Sequence, residues 1–146
     1  METFRHWFSG EWDNSRQAQM YPNRCAFVHV IHEQVEDSQW RCSYRFHRSK
    51  IPYRDFTLNQ MYRDGCIILK NGPVQMEWSI VNGNFACSDV TNKNEVSHFY
   101  QATLGKNHFF VEDKAWRGEN QLWGLDEGVL YEFRPSNLLR GGSQSS

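Results

Sequence analysis

The sequence predicts an all-β protein, an antiparallel meander that closes into a calyx-like barrel, with one short helix at the N-terminus. The clearest evidence is a period of two in residues 39–47. One face of this segment carries rings and a thiol and the other carries polar groups, which is the pattern of a half-buried strand. The alternating residues are Trp40, Cys42, Tyr44 and Phe46 against Arg41, Ser43, Arg45 and His47.

The second observation is a series of tight-turn sequences. Each contains Gly, Asn or Asp, which tolerate the backbone angles of turns between antiparallel strands. They are Asp64-Gly65, Asn71-Gly72, Asn82-Gly83, Gly105-Lys106-Asn107 and Glu127-Gly128. We therefore predict successive strands over residues 26–34, 39–47, 53–62, 66–69, 75–80, 85–90, 97–104, 108–113 and 129–133.

The composition favours a closed barrel over a sandwich. Only 39% of the residues are hydrophobic, which is too few to fill two packed sheets, and closure removes the exposed edges of a sheet. A barrel of about eight to ten strands leaves room inside for one small ligand. Aromatic residues make up 15% of the chain, and such a surplus of rings indicates a pocket or an interface.

Both ends of the chain differ from this strand pattern. Phe4, Trp7 and Phe8 have the spacing of one helical face, and Gly10 ends the predicted helix. The triplet Gly10-Glu11-Trp12 resembles the G-x-W signature of lipocalin-like barrels, in which the tryptophan closes one end. Residues 139–146 are rich in Gly and Ser, so we expect a single domain over residues 1–138 and a disordered tail over 139–146.

Several classes of function are disfavoured. The formal charge of -1 gives no nucleic-acid footprint. Four cysteines without a CxxC pair argue against zinc ribbons and thioredoxin chemistry, and we expect reduced thiols. His29 and His32 point to opposite faces of a strand, so neither is expected to bind a metal. No apolar run is long enough to span a bilayer and no secretory signal is recognisable, so we expect a cytoplasmic protein.

The segment 51–56 brings a ring, a guanidinium and a carboxylate together at the start of a predicted strand. The side chains of Tyr53, Arg54 and Asp55 are of the types that bind a ligand with both flat rings and ionised groups. Because neighbouring residues of a strand face opposite ways, only one of Arg54 and Asp55 can point into the barrel.

Three segments in order resemble the T-type phycobiliprotein lyase family. They are Pro52-Tyr53-Arg54, the stretch from Ala86 to Thr91, and the stretch from Gln121 to Arg134; residues 7–18 also resemble the start of that family. The resemblance extends from residue 4 to residue 134. It implies a homodimeric calyx that binds a linear tetrapyrrole, a bilin, and delivers it to a cysteine of a phycobiliprotein β-subunit. The chain is shorter than the usual members, as a compact version carried by a cyanophage and working in a cyanobacterial cell would be.

The resemblance also implies roles for particular residues. A bilin has pyrrole N–H groups, two propionates and four flat rings, and no cofactor is permanently bound. Phycoerythrobilin is the favoured ligand, with a bilin-synthesis enzyme as its donor. We expect Asp113 first and Asp89 second to accept pyrrole N–H bonds, and Arg54 to bind a propionate. The remaining candidates are Tyr53 to stack on or hydrogen-bond the rings, Tyr44, Trp78 and Trp123 as walls, and Cys87 as the site of a transient adduct or a buried structural thiol.

Two alternatives stay open. The first is a lipocalin-like carrier of a bilin, haem or fatty acid without transferase activity. The second is an interaction module, in which the rings lie outside a barrel whose lumen is filled. The chain departs from the family at Tyr44-Arg45, where a Glu-Gln pair is usual, and at Phe56, where a second arginine is usual. Bilin binding is therefore better supported than transfer, and either face of residues 39–47 could line the cavity.

Overall fold

The computed structural model describes residues 2–72, 74–125 and 129–136. Within these ranges the chain forms two short helices and eleven strands. The helices are α1 (Glu2–Phe8) and α2 (Ser15–Met20), and the strands are β1 (Gly10–Asp13), β2 (Val28–Glu36), β3 (Gln39–Phe46), β4 (Arg54–Arg63), β5 (Cys66–Asn71), β6 (Val74–Val81), β7 (Asn84–Lys93), β8 (Val96–Leu104), β9 (Phe109–Arg117), β10 (Asn120–Trp123) and β11 (Tyr131–Pro135). No helix among these residues is long and apolar enough to cross a membrane.

The strands close into a barrel, as predicted. From β1 to β9, each strand pairs antiparallel with the next strand in the chain. Strand β11 lies between β9 and β1 and pairs with both of them, which closes the sheet. The result is a closed barrel of ten strands. The additional strand β10 pairs with residues 115–117 at the end of β9, whereas β11 pairs with residues 109–111 at its start.

The turn predictions are confirmed at Asp64-Gly65 and Asn82-Gly83, where all four residues have positive φ. One further hairpin escaped the sequence analysis, because Asn94 and Glu95 make its turn at φ 51° and 66° without a glycine. Helix α2 and strands β1 and β10 were also not predicted as separate elements. The predicted Glu127-Gly128 turn and the tail 139–146 lie outside the described residues.

One end of the barrel is filled by α1. Phe4 and Phe8 are 0% and 2% exposed, and Trp12 on β1 is 1% exposed. Phe4 packs against Phe85 with ring centroids 5.2 Å apart, so the helix sits where β7 begins. Burying such rings stabilises the fold by about 1.5–3 kcal/mol each. The cavities of the lumen extend towards the opposite end, where β4 begins.

Two polar side chains tie α2 to the barrel. Asn14 accepts a hydrogen bond from the backbone N–H of Val28 at 2.7 Å and donates one to the carbonyl of Ala26 at 2.8 Å. Gln17 accepts a bond from the backbone N–H of Glu132 at 3.0 Å. Both amides are buried, and buried polar groups persist where they are satisfied in this way.

The aromatic face of β3 points inward. Trp40 and Cys42 are 0% and 1% exposed, whereas Arg41 points out and binds Asp55 at 2.8 Å. Of the two faces of residues 39–47, the aromatic face therefore lines the lumen and the basic face lies outside. It also separates the neighbours on β4, since Asp55 is outside and Arg54 faces the lumen.

Candidate ligand-binding site

The open half of the barrel contains two adjoining cavities. The first, of about 200 Å³, reaches down to Phe8 and His32 at the helical plug. The second, of about 350 Å³, lies towards β10 and β11 and includes Trp123 and Tyr131. Three residues line both cavities, and they are Tyr44, Arg54 and Asp113. A lumen with space of this kind does not fit the interaction module, which requires a filled lumen.

An ion pair separates the two cavities. Arg54 is the first residue of β4 and Asp113 lies on β9, and their Nη1 and Oδ2 atoms are 3.0 Å apart. The Asp113 side chain is only 12% exposed. Burial lowers the pKa of Arg54, but the charge of Asp113 and their hydrogen bond outweigh it and raise the pKa overall. The guanidinium therefore stays charged inside the barrel.

The Asp113 carboxylate accepts three hydrogen bonds. Besides Arg54 on Oδ2, its Oδ1 atom lies 2.7 Å from His98 Nε2 and 3.2 Å from Trp123 Nε1. Burial acts to raise the pKa of this carboxyl, yet the bonds from His98, Arg54 and Trp123 together lower it. Asp113 is thus an ionised acceptor at neutral pH, held by donors from three different strands.

Aromatic rings form the walls beside this ion pair. The guanidinium carbon of Arg54 lies 5.7 Å from the centre of the Tyr44 ring, and Tyr44 stacks on Phe56 at 6.2 Å. Tyr53 stacks on Phe46 at 4.4 Å near the mouth. Burial, with a smaller effect of Tyr131, raises the pKa of Tyr53 to about 12. Its phenol is therefore neutral at physiological pH and can donate a hydrogen bond.

Six of the eight predicted site residues line the cavities, which are Tyr44, Tyr53, Arg54, Asp89, Asp113 and Trp123. Asp89 belongs to the first cavity alone.

Trp78 and Cys87 lie apart from these walls. Trp78 is 1% exposed and packs on Phe4 and Phe109 near the helical plug. Cys87 is its partner in the β6–β7 register and is 2% exposed. Alternation placed both side chains inside, but at the level that α1 fills. Burial raises the pKa of the Cys87 thiol to about 12, so it carries little thiolate for an adduct.

Several lining residues were missed, of which His98 is the most informative. It faces inward because it shares the parity of the buried residues Ala102 and Leu104 on β8. If the turn at residues 94–95 had been recognised, the pairing of β7 with β8 would have placed His98 opposite Thr91. No glycine marks that turn in the sequence. Without the register, a histidine in this strand had no assigned face.

The two histidines considered for a metal have structural contacts. His29 lies on the outer face of β2, where it is 5% exposed, with Nε2 2.8 Å from His47 Nδ1. His32 points inward and its Nδ1 lies 2.9 Å from the Phe8 carbonyl oxygen. They occupy opposite faces of β2, as the strand period predicted.

These features define a calyx-shaped antiparallel barrel with a plugged end and an aromatic-walled cavity around a partly buried ion pair. No protein-family model matches the sequence, and no curated protein matches it significantly. Among solved structures, the T-type phycobiliprotein lyase CpeT from Prochlorococcus phage P-HM1 is similar, with a TM-score of 0.80 and 22% identity over 92% of this chain and 96% of that one. The CRL protein of Arabidopsis is also similar, with a TM-score of 0.69 and 16% identity over the same shares. The fold predicted from the resemblance to T-type phycobiliprotein lyases is confirmed.

Proposed function

We propose that this protein binds a linear tetrapyrrole in the two cavities and presents it for thioether attachment to a cysteine of a phycobiliprotein. The observation that carries the proposal is the Arg54–Asp113 ion pair at the junction of the cavities. The similar fold of a T-type phycobiliprotein lyase supports the same conclusion.

The ion pair matches the two kinds of polar group that a bilin carries. A propionate can take the place of Asp113 on Arg54, and pyrrole N–H groups can take the place of Arg54 on Asp113. In this exchange Arg54 and Asp113 each lose one partner and gain another, so neither charge is left unpaired in a low-dielectric site. Each charge-assisted hydrogen bond so formed contributes about 1.5–3 kcal/mol.

The shape of the space also suits a flexible chain of rings. The first cavity, at about 200 Å³, is smaller than the roughly 300–1,000 Å³ of typical ligand pockets, so a ligand that enters it also extends into the second cavity, of about 350 Å³. A linear tetrapyrrole can curl around a carboxylate with its nitrogens turned towards it. A fatty acid would leave Asp113 and Asp89 facing an acyl chain, which is costly.

The transfer step requires no nucleophile from this chain. The acceptor cysteine supplies the thiol, and the barrel accelerates its addition by holding one conformer and one face of the bilin, an orientation effect. We propose phycoerythrobilin as the preferred bilin, a β-subunit as the acceptor, a bilin-synthesis enzyme as the donor, a homodimer as the working form and the cytoplasm as the site of action.

Binding is tested by titrating the purified protein with phycoerythrobilin and recording absorption spectra. We expect a sharpened, red-shifted band that saturates at one bilin per chain, because a protonated and ordered conformer absorbs in this way. The control is the protein unfolded in denaturant. If neither phycoerythrobilin nor any other bilin changes its spectrum, the proposed function is wrong.

Transfer is tested separately by co-expression with bilin-synthesis enzymes and an apo-phycobiliprotein. A covalently coloured acceptor supports the lyase activity. A spectral shift on binding with an uncoloured acceptor would instead leave the alternative function, a bilin carrier of lipocalin-like form.

A further inference from the structure

We propose that His98 is the general base that takes the proton from the acceptor thiol during transfer, with Asp113 holding the imidazole in the required tautomer. This inference rests on the proposed function and adds a catalytic residue to it. Its basis is the 2.7 Å contact between His98 Nε2 and Asp113 Oδ1 in the wall of the first cavity.

The contact determines which ring nitrogen is the base. An ionised carboxylate only accepts hydrogen bonds, so the proton of a neutral His98 lies on Nε2 and is donated to Asp113. Nδ1 then carries the lone pair, and it forms no hydrogen bond with any residue that the structure describes. The pair thus has the arrangement in which a carboxylate orients a histidine base.

His98 is also placed where a thiol from another protein can reach it. It is the third residue of β8, on the open side of the barrel, and its side chain is 35% exposed. The ring lies 5.7 Å from that of Trp123, which is 43% exposed at the same rim.

The phenols and the other imidazole of the two cavities are poorer bases. Burial raises the pKa values of Tyr44, Tyr53 and Tyr100, so their phenolates are not formed at neutral pH. His32 is the other imidazole in the cavity walls, but it is 2% exposed beside the plug. Burial lowers its pKa to about 4, although its hydrogen bond to Phe8 opposes this.

The charged and titratable groups facing His98 come from several strands. Asp113 on β9 is in direct contact, and Arg54 on β4 reaches the other oxygen of that carboxylate. The remaining titratable groups in the lining of the same cavity are His32 on β2, Cys42 and Tyr44 on β3, Asp89 on β7 and Tyr100 on β8. When a propionate draws Arg54 away, Asp113 keeps its hydrogen bond with His98, so the imidazole stays oriented.

The reaction is the addition of a thiol across the exocyclic double bond of ring A. The S–H bond breaks as its proton passes to His98 Nδ1, and the sulfur forms a bond to the ethylidene carbon. The electron pair of the double bond moves to the adjacent ring carbon. The imidazolium returns its proton to that carbon, so the atoms balance and no oxidant or reductant is required.

The test compares His98→Gln with the parent protein, both loaded with phycoerythrobilin and mixed with an apo-phycobiliprotein β-subunit. Glutamine can still donate to Asp113, so the carboxylate keeps its partner. We expect a Kd for the bilin within about twofold of the parent value and a transfer rate at pH 7 lower by about 100-fold or more, the usual contribution of a general base. Exposed His6 on α1 provides the matched control, since His6→Gln should change neither.

A second measurement excludes a merely structural role. In His98→Gln only preformed thiolate reacts, so its transfer rate should rise about tenfold per pH unit below the thiol pKa of about 8.5. The parent should show a flatter profile, and added imidazole should restore part of the rate of His98→Ala. An unchanged transfer rate, or equal losses of binding and transfer, would overturn this role of His98. A parent that binds the bilin but transfers none would overturn it together with the lyase activity, whereas a parent that binds no bilin removes the proposed function itself.

Discussion

Replacing His32 should change how the stability of the barrel depends on pH. The side chain is 2% exposed, stacks on the Phe8 ring at 3.9 Å and donates from Nδ1 to the Phe8 carbonyl over 2.9 Å. Because a carbonyl only accepts, Nδ1 carries the proton of the neutral ring. Burial lowers the pKa from 6.5 to about 4, and the bond to Phe8 compensates only in part. The folded state therefore favours the neutral imidazole.

The size of the effect follows from the two pKa values. Between pH 6.5 and pH 4 the unfolded chain binds a proton at His32 that the folded protein does not, so stability falls as the pH falls through this window. At 1.36 kcal/mol per pKa unit, the loss at pH 5 is about 2 kcal/mol. In a chain of this length that corresponds to a fall in Tm on the order of 5 °C.

The assay is urea unfolding followed by tryptophan fluorescence at pH 7.5, 6 and 5. His32→Gln keeps a donor for the Phe8 carbonyl but cannot titrate, so between pH 7.5 and pH 5 it should lose about 2 kcal/mol less stability than the parent. Contributions of the other histidines are common to both proteins and cancel. His6→Gln should follow the parent. Equal losses in the parent and in His32→Gln would refute the reasoning, whatever their stabilities at pH 7.5.

Three further predictions concern the cavity and the core. Asp113→Asn should weaken the bilin-induced absorption shift more than Asp64→Asn, a change in a turn, and equal effects in the titration would show that another carboxylate accepts the pyrrole N–H groups. Arg54→Gln should raise the Kd for phycoerythrobilin about tenfold or more, the cost of one charge-assisted bond, and should leave the Kd for the bilin dimethyl ester nearly unchanged; a similar loss for both ligands would mean that Arg54 does not bind a propionate. Trp40→Phe should destabilise the fold by about 1 kcal/mol more than Trp78→Phe in urea unfolding, because the indole N–H of Trp40 donates to a side chain at 2.6 Å whereas that of Trp78 has no partner among the described residues. The reverse order would contradict this assignment.

Part of the site could be predicted, because the resemblance to a known family named candidate residues and strand alternation limited which of them can face inward. Because neighbouring residues of a strand face opposite ways, the sequence predicted that only one of Arg54 and Asp55 enters the lumen, and the structure shows that it is Arg54. Trp78 and Cys87 were named as site residues and do face inward, but strand alternation says nothing about depth along the barrel axis. The contact of Phe4 with Trp78, at 5.7 Å, comes from a helix more than seventy residues away in the chain, which no strand pattern reports.

His98 shows the same limit from the other side. Its partner Asp113 is fifteen residues away along the chain, across the β8–β9 pair, and the register of that pair decides that they meet. A shift by one residue would turn one of the two side chains to the outside. The register of β7 with β8 is set by the turn at Asn94 and Glu95, which both have positive φ. These residue types alone indicated that conformation only weakly.

The sequence by itself determined the class of fold, because turn chemistry and a period of two act over a few neighbouring residues, and the resemblance to a known family named six of the residues around the cavities. Only the tertiary structure decided that Arg54 meets Asp113 across 59 residues of chain, and that Asp55 binds Arg41 outside. It also decided which half of the lumen is filled by α1 and which half is open. The physical reason is closure: strand order and register bring distant side chains to one level of the barrel, and these are properties of the whole sheet.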